Sequence, residues 1–324
     1  MRHEPRMNAP ELAGGGAPVL RGRFLYYEPM SKYVSWRAGG PAQRVYVPAD
    51  LEDLTWLVRS IAPHEDIHLV GLGSNLLVRD GGVSGVVIPL HGVLKKLAIE
   101  SRTHGLPPAP TDRETALVYA QAGVASPKLA RFTARHDLVG GEFWAGIPGT
   151  VGGALAMNAG CYGSETWDRL VQVQTLDRQG RINERLPSDY VVGYRHVALR
   201  EAHQEYFIGG WFRLDKGDGA AARETIKQLL HRRIASQPLQ LPNAGSVFRN
   251  PPGDHAARLI ESCGLKGHRI GGAQVSEQHA NFIVNVGQAT ATDIERLIEH
   301  VENVVEVRTN VRLIREVRII GERQ

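Results

Sequence analysis

Ala145-Gly146-Ile147-Pro148-Gly149-Thr150-Val151-Gly152-Gly153-Ala154-Leu155-Ala156-Met157-Asn158-Ala159-Gly160 carries five glycines in sixteen residues, one proline and no charge. A backbone this bare of side chains can lie against a large, flat, anionic ligand. Glycine tolerates φ > 0 and close approach where a Cβ would collide. Successive N–H groups in such a stretch can form a concavity for phosphate oxygens. The same composition also suits a buried bend between strands, and the stretch alone does not choose between the two.

A second segment upstream has related character. Leu69-Val70-Gly71-Leu72-Gly73-Ser74-Asn75-Leu76-Leu77-Val78 reads as strand, tight turn, strand. It is not a dinucleotide fingerprint, because the third glycine of G-x-G-x-x-G would fall at Leu76. It is not a P-loop either, since no Gly-Lys-Ser/Thr follows. The turn can still offer backbone amides and the Ser74 and Asn75 side chains to a diphosphate, or be only a turn.

Around these segments the periodicities alternate. Asp50 to Ile61 reads as a helix with Leu51, Leu54, Leu57, Val58 and Ile61 on one face and Asp50 as its cap. Ser126-Pro127 reads as a cap and first-turn proline opening a helix to about Arg135. Arg223 to Ile234 has helical spacing. Thr292-x-x-Glu295 reads as a capping box before Ile294, Leu297, Ile298, Val301, Val304 and Val305. Residues 83–90, 116–122, 170–176, 206–214, 281–286 and 317–320 are rich in β-branched and aromatic residues and read as strands. Ser101 to Glu114, with three prolines, reads as a loop. The mixture is α+β.

Composition narrows the function classes. The chain has 324 residues, 42% apolar and 22% charged, which is ordinary for a globular protein with room for two or three domains. No apolar run approaches the ~18 residues of a membrane span. Met1-Arg2-His3-Glu4-Pro5 leads into polar and glycine-rich sequence, not a signal peptide. Cys161 and Cys263 are the only cysteines, which argues against a disulfide framework and fits a reducing cytoplasm. The scattered histidines have no zinc spacing, so no metal is expected. A net charge of +4 suits anionic small molecules. Lys and Arg are spread without aromatic interleaving, so no nucleic-acid partner is expected.

Pro242-Asn243-Ala244-Gly245-Ser246-Val247-Phe248-Arg249-Asn250-Pro251 adds a third glycine-bearing motif. Gly264-Leu265-Lys266-Gly267, Gly271-Gly272-Ala273-Gln274-Val275-Ser276, His279-Ala280-Asn281-Phe282 and Glu316-Val317-Arg318-Ile319-Ile320-Gly321 follow it. In this order, with the two glycine segments, the chain resembles the UDP-N-acetylenolpyruvoylglucosamine reductase family from about Trp36 to Gly321. These are flavoenzymes that make UDP-N-acetylmuramate for peptidoglycan. The chain resembles the shorter subgroup, which lacks a tyrosine-bearing loop insertion.

The resemblance implies an α+β fold: a vanillyl-alcohol-oxidase (PCMH)-type FAD-binding domain of two lobes plus a C-terminal α+β substrate-binding domain. On this chain that means a flexible tail over 1–22, the FAD domain over 23–219 completed by a terminal strand in 311–324, and the substrate domain over 220–310. It implies non-covalent FAD, NADPH as hydride donor, a UDP-sugar substrate, no membrane partner, a cytoplasmic location and a monomer. Gly71, Leu72, Gly73, Ser74, Asn75, Leu76, Ala145, Gly146, Ile147, Pro148, Gly149, Thr150, Gly152, Gly153 and Asn158 are the expected FAD contacts.

The implied reaction passes hydride from NADPH to FAD, then from flavin N5 to the methylene carbon of an enolpyruvyl ether. Charge develops on the neighbouring carbon and its carboxylate, so the site must supply a cation and a proton donor. By resemblance Ser246 is that donor, Glu316 supports the enolate and Arg195 grips the carboxylate. Tyr194, Arg233, Gln237 and Asn250 are expected at the UDP-sugar. Each has a plainer reading: a turn serine, an edge-strand charge, a surface Tyr-Arg pair, and for Arg233 a charge at a helix C-terminus. Two residues depart from the family pattern. Arg315 stands where proline is usual, and Val197 where a serine would support the Tyr194-Arg195 loop. An oxidase on the same fold is a rival reading that a flavin released by acid would oppose. A non-catalytic nucleotide-binding module is another, opposed by the joint presence of Arg195, Ser246 and Glu316.

Overall fold

The structure, a computed structural model, describes residues 19–101 and 114–324. The first lobe comprises β1 (Arg23–Pro29), β2 (Pro41–Val47), α1 (Leu51–Ser60), β3 (Ile67–Val70), β4 (Leu76–Val78) and β5 (Val83–Pro89). Four of its strands form a sheet in the order β1-β2-β5-β3. The helix α1 starts where expected, because Asp50 accepts a hydrogen bond from Asp53 N–H at 2.9 Å. Its Leu54, Leu57 and Val58 then pack in one core with Val86 and Ile88 of the sheet.

The second lobe contains β6 (Leu97–Glu100), β7 (Thr115–Gln121), α2 (Ser126–Arg135), α3 (Val151–Met157), β8 (Leu170–Asp177), β9 (Ile182–Arg185), the hairpin β10 (Tyr190–Gly193) and β11 (His196–Leu199), β12 (Glu205–Lys216) and α4 (Gly219–Ser236). Its main sheet runs β9-β8-β12-β7-β6. The core is aromatic: Trp144 meets Phe212 edge-on with ring centroids 5.1 Å apart. The helix α4 opens where the sequence reading begins the third unit, yet its buried Ala222 and Ile226 lie in the second lobe's core.

The third unit carries α5 (Ala256–Ser262), β13 (Ala273–Val275), β14 (Ile283–Asn285) and α6 (Ala291–Thr309). In α6, Ile294, Leu297, Ile298, Val301 and Val305 are buried, as their spacing predicts. This core also holds Trp36 from the first lobe. The Trp36 indole N–H donates to Ile283 O at 2.7 Å, and Asn285 Nδ2 donates to Trp36 O at 3.0 Å. The chain then returns as β15 (Arg318–Ile320), which pairs parallel with β4 in the register Arg318↔Leu76.

The local readings need several corrections. Ala125 is the cap of α2, while Ser126 is its first residue, with a buried hydroxyl that has no partner among the described residues. The capping box of α6 is Thr290 with Asp293. Thr292 and Glu295 are taken by the first lobe instead: Asp80 accepts from Thr292 N–H and Oγ1–H at 2.7 Å, and Arg79 grips Glu295 twice at 2.9 Å. Residues 20–22 are tied down: Leu20 packs against the first lobe's core, Arg21 N–H donates to Asp53 at 2.7 Å and Gly22 N–H donates to Tyr46 Oη at 2.8 Å. Residues 1–18 of the expected tail, and residues 102–113 of the expected loop, lie outside the described residues.

Candidate active site

The three units meet at a cleft of about 370 Å³. Two of its walls are the glycine segments, packed directly on one another. A Cβ on Gly71 would come within 2.4 Å of Thr150 Oγ1, and one on Gly149 within 3.2 Å of Ser74 Oγ. Gly73 needs its φ of +59°, and a Cβ there would sit 2.1 Å from the Tyr33 carbonyl oxygen. The amides of Gly73, Ser74, Asn75, Gly149, Thr150 and Gly153 have no backbone acceptor among the described residues. Two apposed glycine-rich walls with spare N–H donors fit a ligand diphosphate.

The expected contacts divide into two groups. Gly71 to Leu76, Gly146 to Thr150 and Gly153 line the cleft. Ala145, Gly152 and Asn158 stand behind the wall. Ala145 is core. Gly152 turns toward Ala122, where its N–H donates at 2.9 Å and a Cβ would meet Ala122 Cβ at 2.8 Å. Asn158 is the left-handed cap of α3, at φ +42°. Its side chain donates to Glu165 at 2.6 Å and to Gly193 O at 3.3 Å, and accepts from Trp167 N–H at 3.1 Å. Asn158 therefore steadies the hairpin that bears Arg195. Val197 of that hairpin packs against the lobe core, so apolar contact supports the loop where the family has a serine.

Arg195, Ser246 and Glu316 line this same cleft. Arg195 sits in the hairpin turn at φ +54°. Its Nε–H donates to Glu316 Oε1 at 2.7 Å, Nη2 donates to Gly160 O at 2.9 Å, and Nη1 reaches Asn158 O at 3.4 Å. Of the five guanidinium N–H groups, two remain for a ligand. Burial pushes the Glu316 carboxyl above the usual carboxylate range, and the charges of Arg195 and Arg249 pull it back.

Ser246 is presented by a braced turn. Gly245 takes φ +72° and its N–H donates to Asn243 Oδ1 at 3.0 Å. Asn281 then clamps the next residues: its backbone O accepts from Val247 N–H at 2.9 Å. Its side chain bonds Phe248 O and N–H at 2.8 and 3.0 Å. Glu316 N–H donates to Val247 O at 2.8 Å, which brings the return strand to the serine turn.

Arg233 and Gln237 also line the cleft, with Arg233 Nε donating to Gln237 Oε1 at 2.9 Å. Burial lowers the Arg233 pKa, because desolvation disfavours the charged form. Asn250 and Tyr194 are not among the lining residues. Asn250 accepts from Ala256 N–H at 3.1 Å and caps the start of α5. The Tyr194 ring lies under the Arg195 guanidinium, 5.0 Å away. Arg318 and Cys161 are among the lining residues not singled out as site residues from sequence. Arg318 stands two positions beyond Glu316, and strand alternation is the signal that would have found it. Cys161, whose thiol burial pushes up to about 11, carries no motif signal.

Among the described residues no group of three or more His, Cys, Asp or Glu could hold a metal, and no helix is long and apolar enough to cross a membrane.

A family model described as "UDP-N-acetylenolpyruvoylglucosamine reductase, C-terminal domain" matches residues 237–320, and one described as "FAD binding domain" matches residues 42–184. The UDP-N-acetylenolpyruvoylglucosamine reductase of Thiobacillus denitrificans is 80% identical, covering 100% of both chains. That of Nitrosomonas eutropha is 53% identical over 98% of this chain and 94% of its own. The crystal structure of UDP-N-acetylenolpyruvylglucosamine reductase from Thermus caldophilus superposes with a TM-score of 0.73 at 29% identity, covering 93% of this chain and 99% of that one.

Proposed function

The chain belongs to the UDP-N-acetylenolpyruvoylglucosamine reductase family, FAD-dependent oxidoreductases of peptidoglycan synthesis, and on that premise we propose how its residues carry the reaction. The proposed reaction is the NADPH-dependent reduction of UDP-N-acetyl-3-O-(1-carboxyvinyl)-glucosamine to UDP-N-acetylmuramate, in the cytoplasm, by a monomer. The carbon–carbon double bond takes a hydride at its methylene carbon and a proton at the carbon next to the carboxylate. FAD, held without a covalent tether by the glycine walls, would supply the redox chemistry that links NADPH to the double bond.

The glycine walls hold the cofactor diphosphate through the amides of residues 73–75, 149, 150 and 153. The two remaining N–H groups of Arg195 take the substrate carboxylate, for which a guanidinium fork is suited. Glu316, held by Arg195 Nε, faces the charge that develops on that carboxylate. The Ser246 hydroxyl gives its proton to the adjacent carbon and regains one from solvent. Arg233 and Gln237 take the UDP-sugar diphosphate. Asn250 and Tyr194 support neighbouring backbone and Arg195. The substrate-binding unit begins near Gln237, in keeping with the packing of α4 on the second lobe.

One observation carries this reading: Arg195, Ser246 and Glu316, from three distant segments, line the cleft that the two glycine walls form. The test is Ser246→Ala in the FAD-loaded enzyme. Turnover should fall by ~10²–10⁴, the usual contribution of a positioned acid, while NADPH still bleaches the flavin. Turnover within about twofold of the unmodified enzyme would remove Ser246 as the acid, because that is far below such a contribution.

A further inference from the structure

The serine turn and the return strand run antiparallel. Phe248 bridges Arg315, Arg249 N–H donates to Ile314 O at 2.8 Å, and Glu316 N–H donates to Val247 O at 2.8 Å. Residues opposite one another in such a pair share a face, as do positions two apart along a strand. Glu316, opposite Val247, therefore shares its face with Arg249, its diagonal neighbour, at a spacing a long side chain spans. Arg249 Nε is buried and has no hydrogen-bond partner among the described residues. Leaving a buried donor unpaired is costly, so packing alone does not account for a charged side chain there.

We propose that Arg249 is a positioning residue for the reduction, acting across the strand pair on the Glu316 carboxyl together with Arg195. This rests on the role given to Glu316 above. Arg195 reaches that carboxyl from the hairpin, Arg249 stands on the serine strand, and Ser246 lines the same cleft. On the return strand Arg318 lines the cleft, whereas Arg315 pairs with Glu302 at 2.6 Å. Arg249 and Arg195 are the two cations that counter the effect of burial on Glu316. Arg195 lines the cleft, whereas Arg249 is not among its lining residues.

The test uses the FAD-loaded enzyme with ¹³C-carboxyl glutamate, the Glu316 resonance being assigned by its absence in Glu316→Gln. In Arg249→Gln the Glu316 titration midpoint should rise by about one pH unit, the lower end of the effect of a nearby opposite charge. The limb of the kcat/KM pH profile that Glu316→Gln abolishes should move equally. Arg249→Lys should leave both near their original positions. Arg249→Met, which fills similar space without charge, repeats the charge removal should the glutamine variant fold poorly. An unchanged midpoint in the charge-removing variants overturns the inference, as does a raised KM for the UDP-sugar with an unmoved profile, which would make Arg249 a direct substrate contact. Full turnover by Glu316→Gln would instead overturn the role of Glu316 itself.

Discussion

Gly153→Ala adds one methyl group on the cleft side of α3. The new Cβ would find only Thr150 Oγ1, at 3.9 Å, an ordinary contact. The residue is helical and lines the cleft. Without cofactor the substitution should therefore stabilise the protein, since alanine is better than glycine inside a helix by about 0.5–1 kcal/mol. For a chain this long that is roughly 1–2 °C in Tm. With cofactor the sign reverses, because the methyl occupies space beside the spare amides. Overpacking by one methyl costs about 1–3 kcal/mol, or roughly 5- to 150-fold in Kd. Gly152→Ala is the control: its Cβ would strike Ala122 Cβ at 2.8 Å, behind the wall, and should cost stability with or without FAD. Calorimetry of the apoprotein and titration of FAD fluorescence quenching read the two effects separately. A Gly153→Ala protein that binds FAD as tightly as its parent would refute the placement of the cofactor against α3. One whose apoprotein loses as much stability as Gly152→Ala would refute the reading of open space.

The clamp between the first lobe and α6 yields two further expectations. Glu295 is buried and bonded by Arg79 and Arg323, so Glu295→Gln should cost about 3 kcal/mol or more, as breaking a buried pair does; urea unfolding at neutral pH measures this. The Arg79 bonds, then those of Arg323, hold the Glu295 carboxyl down at about 2. A depressed folded-state value means stability present above the unfolded value of about 4.3 and lost as pH falls toward 2. The urea midpoints of the parent and Glu295→Gln should therefore converge between roughly pH 5 and pH 2, as that linkage requires. Parallel curves across that window would show that Glu295 is not held ionised by its arginines.

The glycine walls were legible because their close packing depends on glycine, which sequence states directly. Helix α1 was legible because its cap and its apolar face are both local. Other features depend on distant chain. Thr292-x-x-Glu295 has the capping-box pattern, but Asp80 and Arg79, more than two hundred residues upstream, take its side chains. Asn158 ends a glycine-rich run and resembles a ligand contact, yet its left-handed backbone and three partners make it a brace. Likewise the bond that Asn250 Oδ1 accepts from Ala256 N–H, at the start of α5, is not signalled by its own motif. The strands over 23–29 and 41–47 went unread. The pairing of Arg195 with Glu316 joins residues 121 apart and needs the hairpin geometry. Trp36, whose indole crosses from the first lobe into the third unit, gives no sign of this in its own neighbourhood.

The proposed reaction passes hydride from NADPH, by way of bound FAD, to the enolpyruvyl UDP-sugar. The direct measurement is the flavin absorbance of the purified enzyme without oxygen. NADPH should bleach it, and UDP-N-acetyl-3-O-(1-carboxyvinyl)-glucosamine should restore it with one equivalent of UDP-N-acetylmuramate formed. A flavin that stays bleached until oxygen is admitted would contradict the account.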